Sequence, residues 1–126
     1  MTRQNKSDMV VYDDGEIELN VSFKKETVWL TQSQLCELFG RDKSVISRHI
    51  SNIFSDGELE KSSTVAKNAI VQFEGGREIL REIEYYNLDV IISVGYRVKS
   101  QKGVRFRQWA TSVLKNYIQK DMLSTL

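Results

Sequence analysis

The chain has 126 residues, which is the size of one ordinary domain and enough to bury a hydrophobic core without disulfides or metals. It carries 18 basic and 17 acidic residues, so its net charge of +1 points to no class of partner. A single cysteine, Cys36, excludes an intrachain disulfide and fits a reducing compartment. No apolar run reaches membrane length, and the polar start MTRQNKSD is no secretory signal, so a cytoplasmic protein is expected.

The N-terminal part is predicted to form a β-hairpin. Residues 1–8 are expected to be disordered, and residues 9–126 to form a single α+β domain. Two strand-like runs, at residues 9–12 and 16–23, flank the corner Asp13-Asp14-Gly15, which is typical of a hairpin turn. In the second run apolar and polar residues alternate, so one face should be buried. We expect this hairpin to cover the back of the helices that follow.

Residues 31–54 are predicted to form two short amphipathic helices joined by a tight turn, which is a helix-turn-helix. Thr31 and Gln34 have the spacing of a capping box at the start of the first helix, and Gly40 can supply the left-handed backbone that ends it. Asp42 can cap the second helix. Apolar residues recur at helical spacing and should pack the two helices together: Leu35, Leu38, Phe39, Ile46, Ile50, Ile53 and Phe54.

The opposite face of the second helix is polar and modestly basic, and its small residues suit close approach to base edges and phosphates. Cys36, four residues before the turn glycine, and Ile46, six after it, fit the spacing of DNA-binding units. Arg41 lies where such motifs commonly have an apolar residue, so this turn should be less buried or touch a phosphate. An ordinary helical hairpin is the alternative. The candidate DNA contacts are Lys43, Ser44, Ser47, Arg48 and Ser51.

Charge is unevenly distributed along the chain. Residues 8–37 contain seven acidic residues against two lysines, whereas residues 90–120 contain seven cations and no acidic residue. Five of these cations fall within eleven residues around Gly103, and they predict a loop that binds nucleic-acid phosphates, with a merely solvated face as the alternative. The five are Arg97, Lys99, Lys102, Arg105 and Arg107.

The middle of the chain is predicted to be a loop followed by a second hairpin. Residues 55–68 are polar and should form an irregular connection. Residues 69–74 and 77–86 flank Gly75-Gly76, which can form a two-residue turn between antiparallel strands, although EILREIEYY also has a helical period. Such a ribbon resembles the wing of a winged helix, but four glutamates make it a poor phosphate contact.

Two helices are predicted at the C-terminal end. Asn87 can cap the first, which should run from residue 88 to about residue 98, and the second should run from about residue 104 to residue 122. On the second helix, Phe106 and Trp109 lie on an apolar face, so they are expected to anchor it in the core rather than stack on bases.

The sequence offers no catalytic constellation. Its single histidine, His49, is expected to pack or contact a phosphate rather than act as a general base. No spacing of cysteine and histidine suits a metal, and no glycine-rich phosphate loop follows a strand. We therefore expect no enzymatic activity, no cofactor and no metal.

A family resemblance is carried by three blocks, VWLTQSQLCELF, SRHISNIFSDGEL and YYNLDVIISVGYRVKSQKGVRFRQWATSVLKNYI. Over about residues 9–120 they resemble the N-terminal domain of the RhuM family of bacterial virulence-associated proteins. The basic helical part, residues 87–120, is also similar to the Bro-N domain of phage antirepressors and baculovirus repeated-ORF proteins, which is associated with DNA binding. The resemblance implies a regulator of phage or mobile-element origin, with the five clustered cations as phosphate contacts.

Pattern and resemblance together predict sequence-specific binding of double-stranded DNA by a transcriptional regulator. One short helix reading one half-site buries little surface, so a homodimer is expected, with the last helix around Tyr117 and Ile118 as a contact. The alternative is a protein-interaction module, either antirepressor-like or serving to target a virulence-associated protein. The acidic residues between positions 8 and 37 suit this alternative. Salt-dependent retention on duplex DNA distinguishes the two functions.

Overall fold

The computed structural model describes residues 9–22 and 25–125, and the predicted disorder of residues 1–8 lies outside them. The described residues form a mixed α/β fold with five helices and two small antiparallel hairpins. In chain order the elements are β1 (Met9–Asp13), β2 (Glu18–Ser22), α1 (Gln32–Phe39), α2 (Lys43–Ser55), α3 (Lys61–Thr64), β3 (Val65–Glu74), β4 (Arg77–Tyr86), α4 (Leu88–Arg97) and α5 (Gln101–Thr125). No helix among these is both long and apolar enough to cross a membrane.

The first hairpin is confirmed, with Tyr12 opposite Leu19 in an antiparallel pair. Its corner is fixed by the Asp14 carboxylate, which accepts hydrogen bonds from the two backbone N–H groups that precede β2, at 2.9 and 2.8 Å. The hairpin does not pack as predicted. Tyr12 contacts Phe106 and Trp109 of α5, with ring centroids 5.3 and 5.2 Å away, so the hairpin covers α5.

The two helices predicted between residues 31 and 54 are confirmed together with their caps. The Thr31 hydroxyl accepts from the Gln34 N–H at 3.2 Å, and the Gln34 carboxamide oxygen accepts from the Thr31 N–H at 2.8 Å, which completes the capping box. Gly40 ends α1 in the left-handed region, at φ 64°. Asp42 caps α2 by accepting from the Val45 N–H at 3.1 Å.

The apolar faces of α1 and α2 enter one core. Leu35, Leu38, Phe39, Ile46 and Ile53 are fully buried, and so is Phe106 of α5. The core continues through α4 and the first hairpin. Because the inner face of α2 is held in this core, its opposite face is turned to solvent.

The β3–β4 ribbon confirms the second predicted hairpin and excludes a helix for residues 77–86. Gly75 and Gly76 adopt φ of 58° and 77°, as a two-residue turn between strands requires. The loop predicted for residues 55–68 is wrong in its second half, since α3 forms there and β3 begins at Val65. Of the twenty strand residues only Tyr86 is buried, so the ribbon projects from the body. A winged-helix arrangement stays a prediction.

The corner between α4 and α5 is tighter than the sequence predicts. Asn87 caps α4, but α5 begins at Gln101, so only residues 98–100 connect the two helices. The Ser100 hydroxyl accepts from the Gly103 N–H at 2.9 Å, the geometry of a helix N-cap. Gly103 therefore lies in the first turn of a helix, and the predicted loop around it is wrong. A β-carbon there would lie 2.8 Å from Cγ1 of Val98.

Candidate nucleic-acid interface

The outer face of α2 presents every residue that the sequence predicts as a DNA contact on this helix. All five side chains are exposed, and α2 contains no acidic residue. Among the described residues, the side chains of Lys43, Ser47, Arg48 and Ser51 form no hydrogen bond or ion pair. Ser44 is the exception, because its hydroxyl donates to the Asp42 carboxylate at 3.0 Å.

Asp42 is the acidic residue nearest this face, and its carboxylate caps the N-terminus of α2. Its pKa is lowered by the Val45 backbone N–H, by the Ser44 hydroxyl and by the positive charges of Arg41 and Arg48. The carboxylate therefore stays ionised as the N-cap of α2. It partly offsets the positive charge at this end of the helix.

The turn between α1 and α2 is fixed to the α4–α5 corner. The Arg41 guanidinium donates to the Lys99 carbonyl, and the Ser100 hydroxyl donates to the Phe39 carbonyl at 2.6 Å. Lys102 donates to the Glu37 carbonyl at 3.1 Å. Carbonyls at the end of α1 thus receive donors from the basic segment, which brings that segment beside the turn.

Three of the five clustered cations have partners within the protein. Arg97 forms ion pairs with Asp56 at 3.2 Å and with Glu58 at 2.8 Å. Lys102 pairs with Glu16 of the first hairpin turn at 2.5 Å. Arg107 donates to the carbonyls at positions 95 and 98, at 2.7 and 2.8 Å, and so closes the end of α4. Arg97 and Lys102 thus join segments that are distant in sequence, whereas Arg107 joins the two consecutive helices α4 and α5.

Lys99 and Arg105 are the other two members of this cluster. Both are exposed, and neither side chain forms a hydrogen bond or an ion pair within residues 9–22 and 25–125. Against the effect of burial, the backbone N–H groups of Ile17 and Glu16 lower the pKa of Asp14, and the charges of Lys102 and then Arg105 lower it further. These two cations are therefore the members of the cluster that can meet a phosphate without breaking an internal contact.

His49 lies at the edge of the exposed face of α2 and is half-buried. Burial lowers its pKa, and the nearby positive charges of Arg48, Arg97 and Arg41 lower it further. The imidazole is therefore neutral at neutral pH. Of these three cations, Arg48 lies on the exposed face of α2, whereas Arg97 is paired with Asp56 and Glu58.

Cys36 behaves as a packing residue rather than as a reactive thiol. Its pKa is raised first by burial and then by the charge of Asp42, so the nucleophilic thiolate is disfavoured. It is partly buried against the core, as expected of a small residue where two helices touch. In the described part of the chain, no group of histidine, cysteine, aspartate or glutamate residues could hold a metal ion.

Sequence reasoning missed the acidic partners of the cations. Asp56 and Glu58 lie in a segment that is simply polar in the sequence, and Glu16 is 86 residues from Lys102. The Ser100 cap could have been found, because a serine three residues before a helical N–H is a common capping pattern. Because glycine commonly interrupts helices, Gly103 indicated a loop at this position instead of the first turn of a helix.

Residues 63–124 match the model of the Virulence protein RhuM family. The matched segment runs from α3 through the ribbon and the α4–α5 corner into α5, and it supports the resemblance to RhuM proteins. It does not include α1 or α2. Comparisons with curated proteins and with solved structures gave no match.

Proposed function

We propose that the chain binds double-stranded DNA through α2 and acts in the cytoplasm as a sequence-specific regulator of phage or mobile-element origin. The observation that carries this proposal is the outer face of α2, where small and cationic side chains are exposed on a helix fixed in the core. Serines allow the helix to approach the floor of the major groove closely, and the cations supply contacts to bases and phosphates.

In this proposal α1 and α2 act as a helix-turn-helix, and the residues of α2 have distinct roles. Arg48 lies in the middle of the helix, where it can reach a base edge, and Lys43 lies in the first turn beside the phosphate backbone. Ser44, Ser47 and Ser51 supply close contacts on the same face.

Lys99 and Arg105 are proposed as the phosphate contacts of the α4–α5 corner. Arg97, Lys102 and Arg107 are assigned a different role. Arg97 and Lys102 hold the corner against the segment after α2, the end of α1 and the first hairpin, and Arg107 joins α4 to α5 within the corner. The similarity of residues 87–120 to the Bro-N domain agrees with a DNA-facing position for this corner. The ribbon is not assigned a DNA contact, since its acidic residues would repel phosphates.

The proposal includes a two-fold dimer. A single short recognition helix reads one half-site, and helix-turn-helix proteins usually reach useful affinity by reading two half-sites about 34 Å apart. Two-fold symmetry of the protein is then matched by two-fold symmetry of the operator.

The test is titration of the full chain against duplex DNA at several salt concentrations, with a cognate site first selected from a random duplex pool. A protein that neutralises several phosphates loses affinity steeply as salt rises, whereas binding to an apolar surface does not. Selection of a defined sequence and a steep salt slope are expected. Failure to retain any duplex at low salt would overturn the proposal.

A protein-interaction or targeting role is the second candidate. The family match covers residues 63–124 and omits α2, and the ribbon within it exposes apolar side chains. A chain that fails to bind duplex DNA but associates with another regulator would favour this role.

A further inference from the structure

The outer edge of β3 carries backbone groups that bond to no other strand. On the neighbouring strand, the Tyr86 N–H donates to the Leu30 carbonyl at 2.8 Å, and the Tyr86 carbonyl accepts from the Leu30 N–H at 2.9 Å, so both groups face away from β3. Because the hydrogen bonds of an antiparallel ladder alternate, every second residue of each strand faces outward in the same way. Within residues 9–22 and 25–125, the outward groups of β3 after its first residue have no hydrogen-bond partner. They belong to Lys67, Ala69, Val71 and Phe73.

This edge lacks the features that usually protect an exposed strand. Natural proteins protect edge strands with charged side chains, proline, a bulge or a covering element. β3 contains no proline, its pairing with β4 contains no bulge, and its charged residues are Lys67 and Glu74. Lys67 pairs with Glu82 at 3.9 Å and with Glu84 at 4.0 Å. Glu74 pairs with Arg81 at 2.6 Å. Both charges of β3 are therefore matched within its own ribbon, and the edge is open to another strand.

The outer edge of β4 cannot pair with its own copy, whereas that of β3 can. In a two-fold antiparallel pairing one residue lies opposite its own copy, and the residues on either side pair symmetrically about it. On β4, every such register centred on residues 78–84 places like charges directly opposite each other, for example Glu78 on Glu82 or Arg77 on Arg81. On β3, no register centred on residues 68–73 does so. Because like charges directly opposite each other destabilise paired strands, the ribbon favours self-pairing through β3.

One register of β3 on itself uses all the outward groups. When Ile70 lies opposite Ile70 of a second copy, Ala69 lies opposite Val71 and Lys67 lies opposite Phe73. These last four residues carry the outward N–H and C=O groups on each copy, so none of those groups is left unpaired.

The same pairing covers apolar side chains that the single chain exposes. Val71 and Leu80 pair across the ribbon and share a face with Phe73, and their exposed fractions are 59%, 71% and 74% in that order. A second ribbon beside β3 brings Ala69 against Val71 and the aliphatic stem of Lys67 against Phe73. A two-stranded ribbon is marginally stable in water, and additional strands that share an apolar face stabilise it.

We infer that the β3 strands of two copies of this chain pair antiparallel about a two-fold axis at Ile70, so that the two ribbons form one four-stranded sheet in the order β4–β3–β3–β4. The contact is isologous, because the same edge serves on both copies. Main-chain hydrogen bonds supply the affinity, as they do when a peptide strand adds to the edge of a sheet. The inference rests on the two-fold dimer in the proposed function and assigns a surface to it. It does not depend on DNA binding.

The first test is the molecular mass of the full chain without DNA, measured by sedimentation equilibrium over a range of concentrations. Val71→Pro removes an outward N–H, and its ring blocks a second strand, while the hydrogen bonds to β4 are kept. The dimer dissociation constant should rise by about 10-fold or more. Leu80→Pro is the matched control, because Leu80 is the cross-strand partner of Val71 and its N–H faces outward at the opposite edge. It should leave the dimer intact.

Ala69→Lys tests the same edge without proline. Lysine on an edge strand opposes pairing with another strand, and the two-fold axis would bring the two introduced lysines to diagonal positions, where they repel each other. The dimer dissociation constant should again rise by about 10-fold or more. Circular dichroism spectra that match the wild type establish that the variants are folded.

A cross-link tests the register. In a Cys36→Ser background, Ile70→Cys places one thiol opposite the same thiol of the second copy, where β-carbons lie about 4.5–5.5 Å apart. Mild oxidation should therefore produce a disulfide-linked dimer. Gln72→Cys is the matched control on the same face. Its two thiols would lie about 13 Å apart along the strands, too far to bond.

Four results would overturn this inference. A dimer that survives both Val71→Pro and Ala69→Lys would be joined at another surface, such as the far half of α5, and the dimer in the proposed function would stand. Equal loss of the dimer with Leu80→Pro would remove the contact from the β3 edge. Cross-linking of Gln72→Cys but not of Ile70→Cys would exclude the register. A wild-type chain that is monomeric at high concentration would remove the dimer itself, and duplex titration would then decide separately whether α2 binds DNA.

Discussion

Gly95 of α4 lies directly against the ring of Phe106 of α5. A β-carbon at position 95 would lie 2.7 Å from Cδ2 and 2.9 Å from Cε2 of that ring, distances that real β-carbons essentially never show. Phe106 cannot move away, because its ring also meets Phe39 and Tyr12 edge-on, at centroid distances of 5.2 and 5.3 Å. The close crossing of α4 and α5 therefore depends on the absence of a side chain at residue 95.

Gly95→Ala should destabilise the fold. Overpacking of a full core costs about 1–3 kcal/mol, and the gain of about 1 kcal/mol from alanine's helix preference offsets only part of it. We expect a net decrease of up to about 2 kcal/mol in the free energy of unfolding, measured by denaturant titration. Ser112→Ala, at an exposed position of α5, is the control. Equal or higher stability of Gly95→Ala would show that the ring can yield.

Arg107→Ala should lower stability rather than DNA affinity. Its guanidinium donates to the carbonyls of Gly95 and Val98, and hydrogen bonds from a charged donor contribute more than neutral ones. A loss of about 1–2 kcal/mol in unfolding free energy is expected. The salt slope of duplex binding should be that of the wild type. A flattened slope with unchanged stability would make Arg107 a phosphate contact instead.

Lys99→Ala should lower DNA affinity rather than stability. Its ammonium group forms no internal ion pair in the described part of the chain, so stability should stay within about 0.5 kcal/mol of the wild type. Loss of one phosphate contact should flatten the slope of log affinity against log salt by about 0.9, on cognate and scrambled duplexes alike. An unchanged slope would leave Lys99 as a solvated residue.

Arg48→Ala should relax sequence preference. Removal of a good base contact costs about 1–3 kcal/mol at the cognate site and much less on scrambled duplexes. Paired titrations against both duplexes measure the difference. Lys61→Ala, at an exposed position of α3, is the matched control and should change neither affinity. Equal losses on both duplexes would remove the recognition role from α2.

His49 should make stability depend on pH over a window that begins near its ordinary pKa of 6.5 and extends below it. Its pKa in the folded chain is lowered from 6.5, first by burial and then by neighbouring cations. Below pH 6.5 the unfolded chain takes up a proton that the folded chain binds less readily, so the free energy of unfolding falls as pH falls. Carboxylates protonate mainly below this window.

His49→Gln should remove this pH dependence from denaturant titrations, while the slope below about pH 5 remains. If the variant and the wild type lose stability in parallel across the window, His49 is not the group that titrates.

Local features of the chain could be predicted well from the sequence. The capping residues Thr31 and Asn87, the turn at Gly40 and the double-glycine turn of the ribbon all act within a few residues, and the structure confirms each. The burial of one face of α1 and of α2 follows from the spacing of their apolar residues, which is also a local pattern. These signals require no knowledge of the rest of the fold.

Contacts between distant segments could not be predicted. Arg97, Lys102 and Arg107 have the same charge as Lys99 in the sequence, and only the fold decides which of them meets a carboxylate or a carbonyl. The start of α5 was misplaced for a related reason. Gly103 is required by the nearby side chain of Val98, not by a loop.

The Ser100 hydroxyl links the end of α1 to the first turn of α5, so the orientation of α5 is fixed relative to α1 at this end. With 25 residues, α5 extends about 37 Å from the Ser100 contact. The sequence also predicts a contact between the far half of α5, around Tyr117 and Ile118, and the second copy of the proposed dimer, while the near end of α5 is bonded to the turn that leads into α2. The angle at which two such helices meet would set the separation of the two α2 helices, and hence the phase of the half-sites along the duplex.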